Sequence, residues 1–146
     1  MPLTVGKKND THWEINNYEL VYYKKAANLF GKAKLEFKVN FEDIAHIEVY
    51  FVSKPLANAA LYGVGTYAHS IIFDVLLKNG QSMDYDILTT VNREELKNEI
   101  YVLKKLQVVF VDKYKLLDVI SGDNRIYEEI EKIIKGNNLM YTNKKQ

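Results

Sequence analysis

The sequence predicts an α+β domain: an antiparallel, strongly twisted sheet or partial barrel, one helix packed on it, and a second helix toward the C-terminus. Three observations predict it. The run from Ser70 to Leu88 alternates strictly on both sides of Asn79-Gly80. A second stretch with strand character lies upstream, from Tyr18 to Val52. Two apolar stripes with helical spacing lie downstream of Asn92.

Tyr18 to Lys24 (YELVYYK) is rich in aromatic and β-branched residues and reads as the first strand. Gly31 falls in the connection AANLFG. The next strand is Ala33 to Val39, with Leu35, Phe37 and Val39 on one face and Lys34, Glu36 and Lys38 on the other. Phe41-Glu42-Asp43-Ile44 makes a tight corner, and His46 to Val52 continues with Ile47, Val49 and Phe51 inward. Residues 53–69 are small, contain glycine and lack a period, so they read as a long loop, a common place for function.

In the hairpin, Ile71, Phe73, Val75 and Leu77 share one face, and Met83, Tyr85 and Ile87 continue it on the return arm. Asn-Gly predicts a type I′ turn, which needs positive φ at both central residues. Asn92 and Glu95 have capping-box spacing, and Leu96, Ile100 and Leu103 form one stripe of a helix. Val108 to Val111 is a short strand-like run, and the segment to Ile120 is ambiguous. Asp123 is a candidate N-cap for a helix over residues 124–135 that docks through Ile126, Ile130, Ile133 and Ile134. Glu128–Lys132 and Glu131–Lys135 are i, i+4 pairs, Gly136 ends the helix, and the last six residues read as frayed.

A length of 146 residues suits one domain covering 1–146. There is no cysteine, which excludes disulfides, thiolate nucleophiles and zinc–sulfur sites and favours a reducing, cytoplasmic setting. The opening residues have no apolar stretch of the signal-peptide kind. Residues 1–40 hold seven lysines against four acids, whereas residues 41–100 hold four basic residues against nine acids. The net charge is only +1, so the balance does not favour nucleic acid and leaves room for a local basic patch.

The hairpin YELVYYKKAANLFGKAKLEFKV, the corner FEDIAHIEV, the hairpin IIFDVLLKNGQSMDYDI and the helix REELKNEIYVLKKL follow in that order. Together, over about residues 12–106, they resemble the pleckstrin-homology-like domains of bacteria, with residues from about 107 to 136 as a helical extension. The resemblance implies a bent sheet or open barrel closed at one end by the helix. It departs from the family in showing five or six strands where the family has seven.

Candidate sites follow from the residues. Lys24-x7-Lys32-x-Lys34 is similar to the basic pattern with which some members of that family hold inositol phosphates. The turn would fold Lys24 and Lys25 back toward Lys32 and Lys34, around one pocket mouth. Tyr62 and Tyr67 flank the Gly63–Gly65 step and would supply contact area from the long loop. Set against this, lysine-rich hairpins also protect strand edges. Asp74, Asp84 and Asp86 cluster on the polar hairpin face, where they would bind a hard cation or simply keep the face solvated. His69 ends the loop and would meet Asp74 only if the strand bends; His12 and His46 read as ordinary polar residues. No metal, phosphate-loop or nucleophile motif is complete, so no cofactor is implied. The residues therefore favour a small cytoplasmic, non-catalytic interaction module that binds a protein or a second copy of itself. The alternatives are a peripheral binder of anionic headgroups or phosphorylated ligands through Lys25, Lys32 and Lys34, and an enzyme or metal binder using the aspartates or His69.

Overall fold

Among the residues described by the computed structural model (3–6, 11–16, 18–25, 32–56, 67–87, 92–142 and 144–146), eight strands and three α-helices follow one another. The first sheet is an antiparallel meander of β1 (Leu3–Val5), β2 (His12–Ile15), β3 (Glu19–Lys24) and β4 (Lys34–Asn40). A 3₁₀ turn at Phe41–Asp43 then redirects the chain into a second sheet. This contains β5 (Ile44–Pro55), β6 (Tyr67–Leu77), β7 (Ser82–Asp86) and β8 (Phe110–Asp112), in the order β7-β6-β5-β8. Helix α1 (Arg93–Lys105) precedes β8, and α2 (Leu116–Ser121) and α3 (Ile126–Gly136) follow it.

The expected first strand is therefore β3, and the described residues before α1 hold seven strands instead of five or six. The residues before Tyr18, in which the sequence predicts no strand, form β1 and β2, because Val5, Trp13 and Ile15 alternate into the core on strands too short to show a period. Asn16 makes the β2–β3 turn: its Oδ1 accepts from the amides of Tyr18 (2.8 Å) and Glu19 (2.9 Å). His12, read as an ordinary polar residue, is buried and stacks on Tyr23 at 4.7 Å. A bulge between Tyr22 and Tyr23 shifts the β3–β4 register. Beyond it the hairpin end leaves the core, so Leu35 is 56% exposed despite its apolar alternation.

The two sheets meet through aromatic rings. Trp13, Tyr22 and Phe37 of the first pack on Tyr85 of the second at centroid distances of 5.1, 5.2 and 6.0 Å, and Phe73 meets Tyr85 edge-on at 5.8 Å. Ile71, Phe73 and Val75 are fully buried, as the alternation predicts. Helix α1 covers this core with Leu96, Ile100 and Leu103. Asn92 caps it by accepting from the Glu94 amide at 2.8 Å. Glu95 does not fold back to close a capping box; it accepts from the Gly6 amide at 3.1 Å and ties α1 to the end of β1.

The Asn79-Gly80 hairpin forms, but not through a type I′ turn. Only Gly80 has positive φ (+91°), and the Leu77 amide donates to the Gln81 carbonyl at 2.8 Å across a three-residue loop. A left-handed glycine at the end of such a loop supplies the twist that two positive φ values would otherwise give.

After α1 the chain returns beside β5. β8 pairs with it in parallel, from Ile47 against Phe110 to Val49 against Asp112. The ambiguous segment becomes α2, whose start is capped by Asp112: both carboxylate oxygens accept, from Leu116 and Leu117 amides at 2.8 Å. Arg93 of α1 closes the other end of α2, donating to the carbonyls of Val119, Ile120 and Asn124 at 2.6, 2.9 and 2.6 Å. Helix α3 begins at Ile126 after Arg125, not after Asp123, and buries Ile130 and Ile134 while Ile126 and Ile133 pack partly against the same core. Its ion pairs are Arg125–Glu128 and Glu129–Lys132 at i, i+3. The expected partner of Lys135, Glu131, turns inward instead.

Candidate functional site

The residues read as a loop from 53 to 69 are shortened from both sides, since β5 runs to Pro55 and β6 starts at Tyr67. Tyr62 and the Gly63–Gly65 step lie outside the described residues. The longer pairing places Ser53 directly opposite His69 on the core side of the sheet. The Ser53 Oγ lies 2.7 Å from His69 Nδ1, and His69 Nε2 lies 2.8 Å from Glu131 Oε1 on α3. The Ser53 residue and the His69 side chain are each only 1% exposed.

Neutral imidazole protonated on Nε2 donates to Glu131 and accepts from the Ser53 hydroxyl. The imidazolium donates to both. The network is thus satisfied in either protonation state, and its first effect is to fasten α3 to the end of the β5–β6 hairpin. His69 has Ser53 and Glu131 for partners rather than Asp74.

Tyrosines complete this end of the molecule. Tyr127 of α3 lies 4.8 Å from the His69 ring, and Tyr141 stacks on Tyr67 at 4.2 Å with 12° between the planes. The Tyr141 hydroxyl donates to Glu131 Oε2 at 2.6 Å. Burial works to raise the Glu131 carboxyl, but the hydrogen bonds from Tyr141 and His69 outweigh it and hold it below its usual value. The same bond to the carboxylate pushes the Tyr141 phenol up to about 12. The C-terminal residues, expected to fray, are held by these contacts, by the Ser53 amide donating to the Thr142 carbonyl at 2.7 Å, and by a Lys145–Glu48 ion pair.

The lysine hairpin is β3–β4. Lys24 and Lys34 stand opposite each other in register, and Lys32 and Lys34 are exposed. The Lys25 amide donates to Thr11 Oγ1 at 3.1 Å, and Lys38 pairs with Glu19 at 3.3 Å. A cleft of about 480 Å³ lies where the ends of β3 and β4 face β7, the edge strand of its sheet. Its walls include Tyr22 and Tyr85, two lysines (Lys24 and Lys54) and three carboxylates (Glu36, Asp84 and Asp86). Lys25, Lys32 and Lys34 are not part of these walls, and Lys54 of β5 takes a place that the hairpin pattern gives no hint of.

On the outer face of the second sheet, Glu48, Asp74 and Asp84 form a row across β5, β6 and β7. Burial and then Asp84 and Glu48 raise the Asp74 carboxyl. Burial and the same carboxylates push the Tyr50 phenol up to about 12. Among the described residues no group of three or more acidic or imidazole side chains is arranged to hold a metal ion.

A further carboxylate sits inside the core. Glu99 of α1 is fully buried, with the Tyr85 hydroxyl 3.4 Å from its Oε1. Burial raises it well above its usual range, and the neighbouring Trp13 indole and Tyr85 hydroxyl only partly oppose this. Its Oε2 and the Trp13 Nε1 make no hydrogen bond of ordinary geometry.

Among the described residues no helix is long and apolar enough to cross a membrane. Compared with models of known protein families, with curated proteins and with solved structures, the chain shows no match.

Proposed function

We propose that the chain is a non-catalytic, cytoplasmic interaction module of the pleckstrin-homology-like kind, and that it takes a segment of a partner protein in the cleft beside β7. The order of elements supports the kinship: four antiparallel strands, a turn, three antiparallel strands, then a helix over the core. One observation carries the choice of partner. Glu36, Asp84 and Asp86 share the cleft with Lys24 and Lys54. A phosphate group entering there meets carboxylates as well as ammonium groups, and like-charge contacts of this kind select against a ligand. A protein segment that carries both signs, with an apolar or aromatic residue for Tyr22 and Tyr85, suits the cleft better.

A second reading rests on Lys32 and Lys34, which with Lys24 form an exposed basic strip at the end of the β3–β4 hairpin. It would serve an anionic membrane surface. The two readings separate with the full chain carrying a photo-crosslinking side chain at Lys54, compared with sedimentation on phosphatidylserine and phosphoinositide vesicles. The cleft reading expects a discrete crosslinked protein that disappears in a Lys24→Glu variant, and no vesicle binding. Vesicle binding that weakens with salt and is lost when Lys25, Lys32 and Lys34 become glutamine would replace it.

A further inference from the structure

Strand β7 has a partner on one side only. It ends the order β7-β6-β5-β8, and among the described residues no strand pairs with its far edge. The ladder to β6 fixes which main-chain groups that edge presents. Bonds from the Leu77 amide to the Gln81 carbonyl and from the Ile87 amide to the Ile71 carbonyl bracket the pairing. In an antiparallel pair, bonded positions recur at every second residue, so Met83 and Tyr85 turn their main-chain groups to β6 while Ser82 and Asp84 turn theirs away. Ser82 and Asp84 are both exposed. Open space follows the strand at both ends: the cleft of about 480 Å³ reaches Asp84 and Tyr85, and a second of about 410 Å³, walled by Val39 and Asn40 of β4, reaches Gln81 and Met83.

Side chains set the chemistry of what pairs there. Asp84 stands directly opposite Asp74, and Asp74 directly opposite Glu48. Like charges opposite one another destabilise a sheet. Lys145 pairs with Glu48 at the β5 end of this row, and among the described residues no ion pair reaches Asp74 or Asp84. The next position in the row lies on a strand added to β7, where a lysine or arginine would stand beside Asp84. Its neighbours in sequence would turn to the other face, toward half-buried Met83 and the ring of Tyr85, and there apolar residues fit. A second copy of β7 does not meet this need: in the antiparallel register that uses the whole strand, the two Asp84 carboxylates face each other.

We propose that the partner segment held in the cleft beside β7 binds as an added strand. Its main chain bonds to the free edge at Ser82 and Asp84, a lysine or arginine stands beside Asp84, and the apolar residues flanking that cation turn toward Met83 and Tyr85. The inference rests on the cleft reading of the function and adds to it a mode of binding and an alternating basic–apolar pattern. The acidic member of a segment carrying both signs goes to Lys24 and Lys54 in the same cleft. Main-chain bonds supply affinity whatever the sequence, and the alternate side chains supply selection. Asp84 also guards the edge against pairing with copies of the chain or with acidic strands.

The test uses the full-length chain and a short fluorescent peptide with lysine at every second place, valine between, a tyrosine at the centre and a glutamate at one end. Polarisation should show saturable binding, and hydrogen exchange should slow at the Ser82 and Asp84 amides. A shuffled peptide of the same composition should bind at least about tenfold less tightly, because only strict alternation presents a basic face and an apolar face. N-methylation of alternate peptide residues should abolish binding in one phase and spare it in the other, since only one set of amides faces β7. Asp84→Lys, a surface change that gives Asp74 a cation, should melt no lower than wild type and should reverse the preference, toward a peptide with glutamate in place of lysine. Absence of saturable binding, binding indifferent to N-methylation in both phases, or unchanged exchange at Ser82 and Asp84 would each overturn strand addition. The cleft reading fails separately, on the crosslink from Lys54. A protein captured there that the alternating peptide does not displace would support the cleft and overturn the added strand.

Discussion

The Tyr85 hydroxyl lies 3.4 Å from Glu99 Oε1 in the fully buried centre of the protein, so the carboxyl of α1 and the phenol of β7 share one dry site. Burial raises both groups well above their ordinary values. Folded Glu99 therefore keeps its proton at pH values where an unfolded glutamate, at about 4.3, has lost it. Above the unfolded value the folded state binds more protons, so stability falls as pH rises until the folded group has also ionised. The wild-type melting temperature should decline across that range, and Glu99→Gln should flatten the decline and melt higher at neutral pH. Superimposable melting curves against pH for the two proteins would mean that Glu99 is charged in the folded state.

Phe73 is fully buried at the centre of β6, touching Tyr85 and Phe110 at centroid distances of 5.8 Å. Truncation to alanine should cost about 3–5 kcal/mol, the usual range for a buried phenylalanine. Urea unfolding measures it directly. A loss below about 1 kcal/mol would be incompatible with a close-packed site at this position.

Arg93 binds three carbonyls near the end of α2 through one guanidinium. Arg93→Ala should destabilise by about 2–3 kcal/mol, as expected when charge-assisted bonds to partly buried carbonyls are lost. Arg93→Lys should recover little of it, because an ammonium cannot span three acceptors set out for a planar fork. Hydrogen exchange should show the loss first in α2 and at the start of α3. Protection there that is unchanged in Arg93→Ala would remove the guanidinium from its role as the clamp.

The low Glu131 carboxyl gives a second pH dependence, of opposite sign. Its folded value lies below the unfolded one, so the stabilisation is complete above the unfolded value and is lost as pH falls through the folded value. Tyr141→Phe removes one of the bonds that hold it down and should make the acid limb shallower. At neutral pH the cost should stay under about 1 kcal/mol, because the pair is partly open to water. An acid limb with the same slope in Tyr141→Phe and wild type would separate Tyr141 from the carboxylate.

Converting Lys25, Lys32 and Lys34 together to glutamine should change stability by less than about 0.5 kcal/mol, as for other surface positions. Chemical denaturation checks this before the variant is used against vesicles. A larger loss would make these lysines part of the fold.

The sequence by itself determined the elements whose signal is local. Alternation about Asn79-Gly80 placed Phe73, Val75 and Tyr85 inward, and the stripes Leu96–Ile100–Leu103 and Ile130–Ile134 marked the buried faces of α1 and α3. These periods of two and 3.6 are written in consecutive residues. Glu99 lies in the same stripe, three residues from Leu96, but nothing in the local pattern singled it out.

Only the tertiary structure decided the rest. β1, β2 and β8 have three, four and three residues, too few to show a period, and they exist because a neighbouring strand supplies their hydrogen bonds. The Ser53–His69–Glu131 network joins side chains 16 and 62 positions apart, so no motif at fixed spacing announces it. Extending the β5–β6 pairing past Val52 would have set Ser53 against His69, but the small residues beyond it gave no alternation to follow. The last residues are polar and aperiodic, and their order comes from what lies opposite them: a carboxylate for the phenol, an amide for the carbonyl and a glutamate for the lysine. Local pattern specifies which face of an element is apolar. Which elements meet, and therefore which polar groups find partners, is settled by long-range pairing that hydrophobic periodicity does not encode.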